Sequence, residues 1–458
     1  MKVFYFLVLI FVLSSIQAYK HKAFHEVIQE KPSDPENVFW FDQELDHFDF
    51  LSKETFRQRY YVNDTNYVAG GPVFLFLGGE GELTDKWIQE GLTVELSVMY
   101  NALVVALEHR YYGESMPFDE LKTENMKYLS SQQALADILK FRDLIMKKYS
   151  LPENTKWISF GCSYSGALSL WLRIKYPHLI AGAYSGSSPV EAKMDYVEYD
   201  ETCEAALSAT DSSCLNSVQT AFSSIRDLLE TENGRVQLQQ MFNTCQPIDT
   251  DDRIKLFKYN VIGAIQGSVQ YNNAPSFPRL ALCQAMNSAT DKISAYAQLN
   301  NEMNGNLCLD LTYDFITNRT AAPENNGRPW YWQKASEFAY YKNSPDGSQI
   351  FFRDIDAEFH NKIVEIGFGE YLTPRVGFTN EFYGSKSPVV NDAIFTNGLY
   401  DPWSKLSVLK DIGDVSSIIY TSSGHCAPVY PFDPKMPSDV QKARNDVGVF
   451  VRNIILQD

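Results

Sequence analysis

Residues 160–169 read Phe-Gly-Cys-Ser-Tyr-Ser-Gly-Ala-Leu-Ser (FGCSYSGALS), and the fold turns on how this stretch is taken. Gly161-Cys162-Ser163-Tyr164-Ser165 approximates G-x-S-x-G, with Ser165 in place of the second glycine. In that motif a serine sits on a sharp strand-to-helix turn, and the positions two before and two after it must be small because strand and helix crowd there. The flanks meet this test: WISF at 157–160 reads as a strand, and ALSLWLRIKY at 167–176 as a helix. Ser165 is small and Gly166 adds slack, so Ser163 is the candidate nucleophile. The plainer reading is an ordinary glycine-containing turn.

G-x-S occurs at two other places, Gly113-Glu114-Ser115 and Gly186-Ser187-Ser188, and both run quickly into proline (Pro117, Pro189) with no helix opening from the serine. Ser165 as nucleophile would have no glycine two residues before or after it.

A serine hydroxyl needs a base within hydrogen-bond reach and a third group to orient that base. Downstream, Asp401 follows the strand-like AIFT at 393–396, and His425 follows SIIYT at 417–421. Ser163, Asp401, His425 is the chain order expected of an α/β-hydrolase. The other histidines fit less well. His21 and His25 lie in the N-terminal tail, His47 is expected to precede the sheet, His178 falls in a helix-to-strand link and His360 in a central insertion. His109 ends a strand but precedes the serine. For an oxyanion hole, one backbone N–H would come from Tyr164 and a second from Gly79 or Glu80, because VFLFL at 73–77 runs into Gly78-Gly79-Glu80-Gly81-Glu82.

Apolar β-rich runs alternate with amphipathic helical patterns from about 70 to 190 and again near the C-terminus, as in a parallel sheet covered on both faces. Between 190 and 375 the strand signal fades into helical, cysteine-containing sequence. The expected organisation is a leader at 1–18, a sheet domain at 19–189 and 376–458, and a disulfide-stapled helical cap inserted at 190–375. Lys2, the apolar run Val3–Leu13 and Ala18 have the layout of a cleavable secretory signal. That run is too short to span a bilayer, and no later window is long enough. Secretory passage, to a lysosome-like vesicle or outside the cell, is expected. The sequons at Asn63 and Asn318 fit that route and would place both on the surface.

The 458 residues carry 57 acidic and 40 basic side chains, a net charge of −17, which excludes the basic footprint that nucleic acid requires. An acidic surface moves toward neutrality near pH 5, which suits an acidic compartment. The seven cysteines are an odd number, so at least one thiol stays outside any disulfide. With no C-x-x-C pair and scattered histidines, neither zinc nor another cofactor is expected.

Several segments are similar to the serine exopeptidases that include prolyl carboxypeptidase, dipeptidyl peptidase II and thymus-specific serine protease. They are DQELDHF (42–48), TFRQRY (55–60), EHRYYGES (108–115), Tyr128-Leu129 with QALAD (133–137), the Ser163 turn, and Asn397-Gly398 with DPWS (401–404). GRPWYWQKASEF (327–338) resembles the thymus-specific branch most. The resemblance implies an α/β-hydrolase with a helical cap, peptide cleavage beside proline near one chain end, Ser163 as nucleophile, Asp401 as orienting acid and His425 as base. Cys162 departs from the glycine usual in the family, and Ser165 from Gly or Ala. Ala335 stands where a cap cysteine is common, and Pro428 where an acid is common.

On that reading Trp330, Tyr331, Trp332 and Phe338 are candidates to line an apolar proline pocket. Glu80 or Glu82 could hold a peptide ammonium. Arg110 is weighed as a partner for a peptide carboxylate against a buried ion pair with Glu108. An esterase or lipase on the same fold, and an inactive relative that binds partners, are the alternatives; a homodimer is left open.

Overall fold

The computed structural model describes residues 38–457. The expected leader, together with His21 and His25, lies outside them. Two compact units form, one of residues 200–312 with 344–355 and the other of 38–199, 313–343 and 356–457.

The larger unit is built on one eight-stranded sheet in the order β1-β2-β4-β3-β5-β6-β7-β8. Its strands are β1 (Val38–Glu44), β2 (Thr55–Asn63), β3 (Val73–Leu77), β4 (Leu103–Leu107), β5 (Trp157–Cys162), β6 (Gly182–Gly186), β7 (Ala393–Gly398) and β8 (Val415–Tyr420). β1 and β2 pair antiparallel, as do β2 and β4, and every later pairing is parallel. This is the α/β-hydrolase fold. VFLFL and LVVAL are buried along their whole length, as strands covered on both faces must be. The β1–β2 hairpin is the part that apolar runs do not announce: it lies at the sheet edge, and its strands mix polar and apolar residues. His47 is therefore inside the sheet region, in the loop between β1 and β2, and not before it.

Segments 313–343 and 356–375, expected within the insertion, pack in the sheet unit instead, and buried polar contacts account for this. The Arg328 guanidinium donates to the carbonyls of Leu121 (2.6 Å), Ile316 (2.7 Å) and Gly367 (2.6 Å). Glu337 accepts from the N–H of Ser131 (2.9 Å), the first residue of the helix Ser131–Lys148, where an anion is favoured.

EHRYYGES forms two ion pairs, neither of them within the motif. Glu108 accepts from Arg59 Nη2 (2.6 Å) and Nε (3.2 Å), from Ser115 Oγ (2.7 Å) and from the N–H of Leu83 (3.1 Å). Arg110, with 0% of its side chain exposed, donates from Nε to Asp137 Oδ2 at 2.6 Å and from Nη1 to the carbonyls of Leu45 and Tyr128. Burial alone would raise the Asp137 carboxyl, but Arg110 and His47 hold it below the ordinary range. The pair therefore stabilises the fold at all pH above that range and is lost only as pH falls through the lowered value. Replacing Asp137 by Ala leaves a buried guanidinium without its carboxylate and should cost about 3–5 kcal/mol in urea unfolding. A cost below about 1 kcal/mol would refute this account of the motif.

The smaller unit is helical and is stapled by Cys214–Cys283 and Cys245–Cys308, with Cys203 as a buried thiol. Its helix Ser212–Leu229 buries Cys214, Val218, Ala221, Phe222, Ile225 and Leu229, a stripe at three- and four-residue spacing, and Asp211 caps its N-terminus. Phe222 meets Tyr296 edge-on at 5.0 Å in the core.

Candidate active site

The parallel strands end on one side of the sheet, where the crevices of open α/β sheets form. Ser163 follows β5, Ser187 follows β6, Asp401 lies beyond β7 and His425 beyond β8, while Gly78–Gly81 follow β3.

Ser163 has φ 60° and ψ −134°, a strained conformation for a residue with a side chain, and the helix Tyr164–Lys175 opens directly after it. The crowding falls on Gly161 and Gly166. A Cβ on Gly161 would lie 2.1 Å from the Ser165 carbonyl oxygen, and one on Gly166 would lie 2.9 Å from that of Gly186. Ser165 is more than a tolerated small residue: its hydroxyl donates to the Cys162 carbonyl (2.8 Å) and accepts from the Cys162 N–H (3.0 Å), closing the turn. It is committed to the backbone. Ser115 is tied to Glu108, and Ser188 to Ser185 at 2.6 Å; both are fully buried.

Asp401 and His425 are buried, and His425 Nδ1 lies 2.8 Å from Asp401 Oδ2. The other carboxylate oxygen accepts the Trp403 N–H at 3.0 Å, so Asp401 caps the short 3-10 helix Pro402–Leu406 and cannot swing away from the ring. Gly398 is needed for close approach, since a Cβ there would sit 2.8 Å from the Ser423 carbonyl oxygen in the loop leading to His425.

Cys162 and Cys426 form a disulfide with Cα atoms 5.9 Å apart. It joins the residue before Ser163 to the residue after His425, and a ring nitrogen of His425 lies within 4.8 Å of both sulfurs. The sulfurs, bonded to each other, are not available as thiolate ligands.

Ser163, Asp401 and His425 thus lie at one end of the sheet. So does the glycine loop: a Cβ on Gly79 would touch the Ser165 Cβ at 3.5 Å. The N–H groups of Tyr164, Ser165 and Gly166 open a helix and have no partner within it, since the first intrahelical bond runs from the Ala167 N–H to the Ser163 carbonyl. Removal from water raises the Glu80 carboxyl, against the pull of its own backbone N–H and of the nearby His425 and Ser163.

Glu82, weighed as a partner for an ammonium, is paired with Arg59 at 2.8 Å. Arg110 is enclosed by Asp137 and backbone carbonyls and does not face a ligand. Trp330 and Phe338 lie 5.7 and 5.5 Å from the Tyr164 ring. Tyr331 packs on Phe315, and Trp332 points elsewhere, its indole donating to the Leu129 carbonyl (3.2 Å) and its ring against Phe368. Two residues apart on a helix, Trp330 and Trp332 face nearly opposite ways. Asn318 is exposed, but Asn63 is half-buried with its Nδ2 donating to the Ile88 carbonyl (2.6 Å), so only one sequon asparagine is openly on the surface.

Sequence reading missed the network beneath Tyr164. Its hydroxyl meets His109 Nε2 (3.0 Å) and accepts from Gln333 Nε2 (2.8 Å), whose Oε1 accepts from Tyr112 (2.6 Å). Burial pushes His109 down to about 4, against the Arg110 carbonyl, so it stays neutral above pH 5. Two tyrosines and a histidine in EHRYYGES followed by SYSG were the available signal.

Residues 43–447 match the family model described as "Serine carboxypeptidase S28". The thymus-specific serine protease of Mus musculus is 31% identical over 447 residues, covering 89% of this chain and 86% of its own. That of Homo sapiens is 30% identical, covering 90% and 85%. The lysosomal Pro-X carboxypeptidase of Mus musculus is 26% identical, covering 85% and 82%.

Proposed function

The chain belongs to the serine carboxypeptidase S28 family, and from that premise we propose that it is a serine exopeptidase cleaving after proline near a peptide end, with Ser163 as nucleophile, His425 as base and Asp401 as orienting acid. The buried 2.8 Å contact between His425 Nδ1 and Asp401, at the strand ends beside the Ser163 turn, carries this reading. Asp401 fixes the tautomer in which Nε2 can take the Ser163 proton. Ser163 attacks the scissile carbonyl, the N–H groups of Tyr164 and of Gly79 or Glu80 receive the oxyanion, and His425 passes the proton to the leaving amine. Water then hydrolyses the acyl-enzyme. A proline ring on the acyl side has no N–H to satisfy, and the partly exposed Trp330 ring beside Tyr164, backed by the buried Phe338, offers it an apolar wall.

Glu80 is the group proposed to read the chain end. Burial raises its carboxyl and so favours the protonated form, which can donate to a terminal carboxylate one residue beyond the scissile bond; ionised, it would repel one. Carboxypeptidase action should therefore rise as pH falls through the Glu80 value, and Glu80→Gln should flatten that part of the pH profile. An unchanged profile would remove Glu80 from this role.

The three disulfides suit an oxidising, secretory route, and the lysosomal relative makes an acidic vesicle the proposed destination. The deciding assay offers matched proline peptides blocked at either end, from pH 4.5 to 7. Cleavage only of peptides with a free carboxyl end supports the proposal. Cleavage only with a free amino end reverses the direction, and turnover of acyl esters alone would replace the peptidase by an esterase.

A further inference from the structure

The Cys162–Cys426 disulfide does something the other two cannot. Cys214–Cys283 and Cys245–Cys308 each close a loop inside the helical unit, with sequence separations of 69 and 63. Cys162–Cys426 spans 264 residues and joins the immediate neighbours of Ser163 and His425. The link ends at conformationally demanding backbone. Cys426 itself has φ 62°, and Ser163, directly after Cys162, has φ 60°, in the left-handed region that side chains disfavour. The Cys426 N–H is also held, donating to Ser187 Oγ at 2.9 Å. Such a backbone persists only where its surroundings over-determine it, and here a hydrogen bond and a covalent link do so together.

Resting on the exopeptidase reading, we infer that Cys162 and Cys426 are positioning residues whose disulfide sets His425 against Ser163, so that the enzyme works in its oxidised form and is turned down by thiol reductants. Cys162 is partly exposed and Cys426 is buried, so an incoming thiolate reaches Cys162 Sγ first. A dithiol reductant bonds to that sulfur as the disulfide breaks. Cys426 Sγ leaves with the electron pair and takes up a proton, next to the His425 imidazole. The second sulfur of the reductant then displaces Cys162 as a thiol and closes the reductant's own disulfide. Two electrons and two protons pass from the dithiol to the two cysteines. With the link gone, the residue after His425 is no longer tied covalently to the residue before Ser163; the loop keeps its hydrogen bonds from Tyr420 and to Ser187 and the Asp401–His425 bond, and the base shifts against the nucleophile. A misplacement of about 1 Å is enough to cost on the order of a hundredfold in rate.

The test treats the purified full-length protein with graded dithiothreitol and traps free thiols by alkylation for mass mapping. It then measures phosphonylation of Ser163 by a fluorophosphonate and turnover of a proline peptide. When Cys162 and Cys426 are the alkylated pair, phosphonylation and kcat should fall at least tenfold on reduction, with KM changed less than threefold. Reoxidation of unalkylated protein should restore both. The double variant Cys162→Gly/Cys426→Gly, which keeps the other two disulfides, should have a low kcat that no longer responds to dithiothreitol. Should that variant not fold by circular dichroism, the mapped wild-type reduction decides alone. Equal phosphonylation with these two cysteines oxidised and reduced overturns the positioning role and leaves the exopeptidase reading standing. A protein that in neither form labels at Ser163 or cleaves peptide overturns the exopeptidase reading, and this inference with it.

Discussion

Ser163→Ala is expected to lower kcat for a proline peptide by about 10⁴–10⁶-fold and to abolish fluorophosphonate labelling, with KM nearly unchanged. The fold should survive. The strained backbone at φ 60° is no worse for Ala than for Ser, and the Ser163 carbonyl still accepts the Ala167 N–H (3.1 Å). The loss exceeds that from any nearby serine because those hydroxyls are tied to groups of the fold: Ser165 to the Cys162 carbonyl, Ser188 to the Ser185 hydroxyl and Ser115 to the Glu108 carboxylate. Labelling of the variant at wild-type rate would show that the elbow is a structural turn and that another residue is the nucleophile.

Asp401→Asn is expected to lower kcat by about 10⁴-fold with little effect on stability. The substitution is isosteric, and the Trp403 N–H that now binds one carboxylate oxygen at 3.0 Å can bind the amide oxygen. The amide nitrogen then faces His425 Nδ1 as a donor, so Nδ1 must become an acceptor and Nε2 carries the proton. In that tautomer the ring cannot accept the Ser163 proton. A drop smaller than tenfold, or a drop accompanied by a lower unfolding midpoint, would mean that Asp401 acts by holding the loop and not by orienting the base.

What was legible in the sequence followed from local physics. VFLFL and LVVAL are apolar on both alternating faces, and WISF is so apart from Ser159, as a covered strand needs; each lies in the sheet. The edge strand β1 and its neighbour β2 mix polar with apolar residues and give no such signal. The bounds of the insertion are not legible in the sequence for a related reason. Segment 313–343 carries helical patterns like those before it, but Arg328 and Glu337 bind it to Leu121 and Ser131 of the sheet unit. Adjacency in the motif puts Trp330 and Trp332 together but says nothing about which way a helix turns them.

From its own periodicities the chain determined a parallel sheet covered by helices, a serine at a strand-to-helix turn, and an acid and an imidazole at later strand ends in the right order. Those features depend on residues within one turn or one strand of each other. Only the tertiary structure decided that Glu108 belongs to Arg59 and Arg110 to Asp137, and that Cys162 is bonded to Cys426. Charges and sulfurs choose partners by proximity after the strands have crossed over. Burial from water then makes each such pairing strong and a wrong one costly, and no local pattern in the chain encodes that proximity.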